Sequence, residues 1–152
     1  MSEKKETNIY IPSGAVGGLD ILQSSNVLKG LQSVQLTTRK PAYSLTGAEK
    51  VTEELVVFEG KAKDAIAKYP RNMNVAIAIS LAGIGTENTK VRLIADPQLE
   101  KNMHTIEAEG DFGTFSIEVS NQAMPENPKT SYLAALSVLS SVKEQNRRMK
   151  IV

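Results

Sequence analysis

Residues 89–120 read "TKVRLIADPQLEKNMHTIEAEGDFGTFSIEVS". Three β-prone runs follow one another there, at 89–97, 103–110 and 114–120. The last alternates cleanly. Phe115, Ile117 and Val119 share one face, and Thr114, Ser116 and Glu118 share the other. Strand side chains change face at every residue, so this is the pattern of an antiparallel strand with one wet side. The dry side needs a cover. The apolar helical runs elsewhere in the chain supply it, which makes the fold an α+β sheet with helices on one face. In the middle run, Ile106 and Ala108 point inward, and Asn102 and His104 continue that face. A histidine there titrates near neutrality and moves protons. The alternative is a packed or surface histidine.

Outward from this core, "LQSVQLTTRK" (31–40) is another strand, with Val34, Leu36, Thr38 and Lys40 on one face. Its turn from apolar to polar suggests a strand end that enters a pocket. "LVVF" (55–58) reads as a strand buried on both faces. "KAKDAIAKY" (61–69) is a short helix stopped by Pro70. "NVAIAISLAGIG" (74–85), apolar on nearly every side, is a buried helix ended by Gly83 or Gly85. "TSYLAALSVLSSVKEQ" (130–145) is a final helix capped by Thr130 or Ser131. "NIYI" (8–11) is β-prone, 44–54 a polar loop or edge excursion, and 121–129 a loop with two prolines. The expected order is β-α-β-β-α-α-β-β-β-α. Residues 1–7 are expected to be a disordered leader, 8–146 one domain, and 147–152 a short basic tail.

Composition narrows the chemistry. The 152 residues carry a net charge of +1, so no general field favours nucleic acid or acidic membranes. There is no cysteine and one histidine, which removes disulfides, thiol catalysis and multi-histidine metal sites; no metal is expected. No apolar run approaches the roughly 20 residues that span a bilayer. The start, "MSEKKETN", is charged and lacks an apolar signal core, which reads as cytoplasmic.

Further candidates lie outside the strands. "IPSGAVGGLDIL" (11–22) places Gly14, Gly17 and Gly18 between an extended run and a helix beginning near Gly17. A dinucleotide fingerprint needs G-x-G-x-x-G and an acid about 20 residues on. The spacing here is G-x-x-G-G and 35–40 is "QLTTRK", so the fingerprint fails. A tight turn and a loop that touches a ligand both stay open. Asn72 or Asn74 caps the buried helix, or holds a carboxamide ligand. Lys129 is a candidate for meeting an anion.

The motifs in order resemble one family. "IPSGAVGGLD", "TTRKP", "VVFEGKAKDAI", "YPRNMNVAIAISLAG", "VRLIADP", "NMHTIEAEGDFG" and "NPKTSYLAALS" look like the C-terminal catalytic domain of L-aspartate dehydrogenases, from about Tyr10 to about Lys143. The resemblance implies a mixed, largely antiparallel sheet like that of the glyceraldehyde-phosphate-type dehydrogenases, with helices on one face and subunit pairing on the other. It implies oxidation of L-aspartate to iminoaspartate with NAD or NADP, feeding NAD biosynthesis. It implies His104 as the catalytic residue, and Ala15 and Asn74 as cofactor contacts. Lys40 is the better candidate for a substrate carboxylate, ahead of Arg39, with Asn102 as a neutral donor; these substrate roles are inferred from chemistry rather than carried over.

Family enzymes carry a dinucleotide-binding domain before this one, and the quoted motifs begin where it ends. The chain is therefore expected to bind NAD poorly alone, to need a separate nucleotide-binding chain, and to form a homodimer or larger oligomer. The last helix, with Tyr132, Ala135, Leu136, Leu139 and Val142 in one stripe, is expected to be partly uncovered. Two other readings stay open: a non-enzymatic domain that self-associates or binds a dicarboxylate, and a piece of a longer enzyme.

Overall fold

The computed structural model describes residues 8–46, 51–145 and 147–149. The expected leader and part of the expected tail lie outside them.

Five strands form the main sheet: β1 (Leu31–Pro41), β2 (Leu55–Lys61), β3 (Lys90–Asp96), β4 (Asn102–Gly110) and β5 (Gly113–Asn121). Their spatial order is β2-β3-β1-β4-β5. Only β1 and β3 run parallel; every other pairing in the sheet is antiparallel. A parallel neighbour needs a crossover. Here the crossover holds α2 (Ala42–Thr46), β2, α3 (Ala62–Lys68), a 3₁₀ turn (Pro70–Asn72) and α4 (Asn74–Ala82). The helix before β1 is α1 (Leu19–Ser25), and α5 (Tyr132–Gln145) follows a hairpin of β6 (Ala123–Met124) and β7 (Asn127–Ser131).

Alternation decides which face is buried. Val34 and Leu36 of β1, Val91 and Leu93 of β3, and Ile106 and Ala108 of β4 form one layer. Leu22 of α1, Ala62 and Ala65 of α3, and Val75, Ala76 and Ile79 of α4 close over it. Each large side chain buried there contributes about 1.5–3 kcal/mol. The opposite face carries Ser33, Gln35, Glu107, Glu109, Thr114 and Ser116, which line a shallow hollow. The fold is thus the expected mixed, mostly antiparallel sheet with helices on one face.

Several local expectations change. "NIYI" pairs with no strand among the described residues, and Ile9, Tyr10 and Ile11 are exposed. The polar stretch after β1 begins with α2 rather than a loop. "LVVF" is not buried on both faces. It opens the edge strand β2, where Leu55 is 46% exposed and a bulge lies between Val56 and Phe58. A continuous apolar run shows that a strand has apolar sides, and says nothing of whether neighbours cover them. The same applies to α4. Val75, Ala76, Ala78 and Ile79 are buried, but Leu81 is 64% exposed. Its end is as expected, since Gly83 donates back to the carbonyl of Ile79 at 2.9 Å. The loop with two prolines is the β6–β7 hairpin, and it takes Thr130 and Ser131 into β7, so α5 starts at Tyr132. Proline is tolerated in such short, edge-like pairing.

Gly18 has φ 78° ahead of α1, and a Cβ there would run into Cδ1 of Ile117. The positive φ favours glycine there, and any side chain would have to displace the Ile117 methyl as well.

Candidate functional site

The site begins where β1 and β4 run side by side. Thr38 stands directly across from His104 in the ladder, on the inward face. Thr38 Oγ1 lies 3.0 Å from His104 Nδ1. Both are buried, Thr38 at 1% exposure and His104 at 5%. Burial first, and the charge of Lys40 second, push the imidazole down from 6.5 to about 4. The ring is therefore neutral at pH 7.

Two residues beyond Thr38, Lys40 continues the same face and is half-buried. Its Nζ donates to Asn72 Oδ1 at 2.8 Å, and burial lowers its pKa. Asn102 is two residues before His104 on β4, also half-buried. Arg39 turns the other way, as period two requires. It pairs with Glu54 and with Asp96, the latter at 3.6 Å, so it does not join Lys40.

Asn72 comes from the 3₁₀ turn, for which Pro70 at the first position supplies a preset φ. Neither asparagine caps α4. The N-cap position is Met73, without a side-chain cap bond; Asn72 accepts from Lys40, and Asn74 is the exposed first residue of the helix.

The segment before α1 closes the opposite side. Gly14 has φ 70°, which turns the chain at Ala15. Asn121, at the end of β5, donates from Nδ2 to the Ala15 carbonyl at 2.9 Å. The Ser131 hydroxyl donates to Asn121 Oδ1 at 2.6 Å, and the Gly14 amide donates to Ser137 Oγ at 3.1 Å. The segment is thus tied to both the sheet and α5. The glycine stretch is a tight turn whose outer side also lines a cleft.

That cleft has a volume of about 430 Å³ and contains Ala15, Lys40, Asn74, Asn102 and His104 in its wall. These five candidates meet there, although Ala15 and His104 are far apart in the chain, while Arg39 is not in the lining. The wall also has Arg71, Asn72, and the apolar Val75, Ile77 and Ala78 of α4. It has two cations and no carboxylate among its described lining residues. The hollow on the open sheet face differs: it holds Glu107 and Glu109 and no cation. No group of three histidine or acidic residues arranged for a metal occurs among the described residues.

Sequence reasoning missed Arg71, the Lys40–Asn72 bond, and the Asn121–Ser131 clamp. Thr38 was placed on the right face, but its partnership with His104 shows only in the strand register. The Lys129 side chain falls outside the described residues.

Residues 20–145 match the family model for the C-terminal domain of aspartate dehydrogenase. The chain belongs to the aspartate dehydrogenase C-terminal family. It is 49% identical to L-aspartate dehydrogenases of Methanosarcina mazei and Methanosarcina barkeri, over 95% of this chain and 56% of each relative. It is similar in structure to aspartate dehydrogenase from Thermotoga maritima, with TM-score 0.82 and 30% identity, over 99% of this chain and 58% of that one. The chain therefore spans little more than half the length of the relatives it matches. Within this aspartate dehydrogenase C-terminal domain, the matched range includes Lys40, Asn74, Asn102 and His104. Ala15 precedes that range, in the segment that Asn121 ties to the sheet.

Proposed function

We propose that this chain is the catalytic part of an NAD- or NADP-dependent L-aspartate dehydrogenase, forming iminoaspartate that hydrolyses to oxaloacetate and ammonia or feeds NAD biosynthesis. The observation that carries the reading is the cleft itself: Lys40 and Arg71 without a carboxylate, around a neutral imidazole.

The charges suit a dianion. Lys40 and Arg71 each offer a charge-assisted bond to one carboxylate of aspartate, and Asn102 adds a neutral donor. The substrate carboxylates offset the field of Lys40 at His104 and draw its pKa upward. His104 then accepts a proton from the substrate ammonium, leaving an amine whose lone pair assists departure of hydride from Cα. Once it has released that proton to solvent, the same imidazole activates water against the imine.

The residues fit the nicotinamide end of the cofactor, which when bound would accept the hydride. Open space lies over Gly14, where a Cβ would meet nothing within 4 Å. The exposed Asn74 carboxamide both donates and accepts, as a nicotinamide carboxamide requires. Val75, Ile77 and Ala78 offer an apolar wall for a ring. A cleft of about 430 Å³ suits this end and a four-carbon acid better than a whole dinucleotide. This supports a nucleotide-binding half contributed by another segment or a separate chain. Leu136, Leu139 and Val142 of α5 are exposed and give that half an apolar surface to meet.

The reading also includes a cytoplasmic location and a homodimer or larger assembly across the open sheet face. Among the described residues no helix is long and apolar enough to cross a membrane. Light scattering at micromolar concentration checks the assembly, and a monomer would refute it.

The test of function mixes the chain with the nucleotide-binding half of a relative, L-aspartate and NAD or NADP. Reduced cofactor should accumulate, and His104→Ala should abolish it. No reduction with any such half would overturn the reading. It would favour a self-associating domain that binds a dicarboxylate without turnover, which calorimetry with oxaloacetate would then detect.

A further inference from the structure

Arg39 and Lys40 are neighbours on β1, yet their partners differ in charge. Arg39 pairs with the carboxylates of Glu54 and Asp96. Lys40 makes no ion pair among the described residues. Its Nζ is held instead by a neutral carboxamide, that of Asn72, at 2.8 Å. An ammonium only donates, so the carboxamide must turn its oxygen to Lys40 and its NH2 away. Among the described residues nothing accepts from that NH2, and nothing else accepts from Nζ.

Both partners are held from behind. The Asn72 amide donates to the Tyr69 carbonyl at 2.9 Å, Pro70 opens the 3₁₀ turn, and Met73 just after it is 1% exposed. Lys40 is set by β1, where it pairs with Ala95 of β3. Both side chains line the cleft. The groups left over from their bond, the carboxamide NH2 and the other Nζ protons, are donors only. A carboxylate offers acceptors only and satisfies them, whereas a carboxamide can set its own NH2 against them. The neutrality of Asn72 matters equally. A carboxylate in its place would hold Lys40 but cancel its charge, as Glu54 and Asp96 do for Arg39. Burial lowers the pKa of Lys40, as expected of a cation with no anion beside it.

We propose that Asn72 is a specificity-determining residue of the cleft: its oxygen positions the Lys40 ammonium without neutralising it, and its NH2 and that ammonium together receive one carboxylate of the ligand. The proposal rests on the dicarboxylate reading of the cleft and adds to it a donor-only subsite that selects carboxylate over carboxamide.

The test is an amide NMR titration of the isotopically labelled full chain with oxaloacetate, which also reads weak binding. Asn72→Ala removes the positioning bond and one neutral donor, and should weaken binding about threefold to tenfold. Asn72→Asp keeps the shape but cancels the charge of Lys40 and faces the ligand with an acceptor. It should weaken binding by roughly tenfold or more. Because Asn72 and Lys40 serve one carboxylate, the double variant Asn72→Ala/Lys40→Met should lose less than the product of the two single losses. A residue that only supports the turn would not couple in this way. Equal affinity in wild type and folded Asn72→Ala would overturn the proposal and leave the dicarboxylate reading intact. So would wild-type affinity in Asn72→Asp, or single losses that simply multiply. If Asn72→Ala does not fold, the isosteric Asn72→Asp decides. A wild-type chain that does not bind oxaloacetate would overturn both the reading and the proposal, so the two failures are distinguishable.

Discussion

Acid should weaken this fold through His104 in particular. The folded ring has a pKa of about 4, against 6.5 for the unperturbed side chain. Between these values the unfolded chain binds a proton that the folded chain refuses. Stability is therefore full above the unfolded pKa and falls as pH drops towards 4. Integrating the linkage gives a loss of about 2 kcal/mol from pH 7 to pH 5, and about 3 kcal/mol by pH 4. Carboxylates titrate in the same range, so the wild type alone does not isolate the effect. His104→Gln does, because its carboxamide can still meet Thr38 and it carries no titrating ring. Urea unfolding at pH 7 and pH 5 should be run on both proteins. With a slope of about 2 kcal/mol per molar urea, the wild-type midpoint should fall about 1 M further than that of the variant. Lys40 does not confuse the comparison, because it is charged across this range in both. Equal pH dependence in the two proteins would refute the assignment of His104 as a desolvated neutral ring.

Three further outcomes follow from the packing. Lys40→Met removes the cation bound to Asn72 and should weaken oxaloacetate binding by roughly tenfold or more by calorimetry, since a hydrogen bond to a charged group contributes about 1.5–3 kcal/mol. Asn121→Ala cuts the link between Ala15 and Ser131; it should cost about 1–3 kcal/mol in urea unfolding and speed hydrogen exchange at the amides of residues 14–18. Gly18→Ala should destabilise by more than about 1 kcal/mol, through both a positive φ and contact with Ile117. Adding Ile117→Val, which removes Cδ1, should restore the steric part and leave the backbone part; no recovery in the double variant would contradict the contact.

Much of the site was legible because it depends on period two. The alternation of Ile106 and Ala108 carried inward to His104 and Asn102, and that of Val34 and Leu36 carried to Thr38 and Lys40. The same rule sends Arg39 to the other face, where it meets Glu54 and Asp96. What alternation lacks is the register between strands. The pairing of Thr38 with His104 depends on how β1 slides against β4, and no single strand contains that information. The fate of Asn72 was hidden for a similar reason. Asparagine before an apolar helix is a natural cap, but Lys40 from a distant strand takes its carbonyl instead. Exposure was the least legible property. "LVVF" and "NVAIAISLAGIG" look equally buried in sequence, yet β2 lies at the sheet edge and α4 turns Leu81 outward.

The central claim is that this cleft removes hydride from the α-carbon of aspartate with His104 as the proton acceptor. The most direct measurement uses L-aspartate deuterated at Cα, NAD or NADP, a nucleotide-binding half and this chain. The account predicts that the reduced nicotinamide carries the deuterium, and that His104→Ala, folded and paired in the same way, yields none. Reduced cofactor without the label, or labelled cofactor formed equally well by His104→Ala, would contradict it.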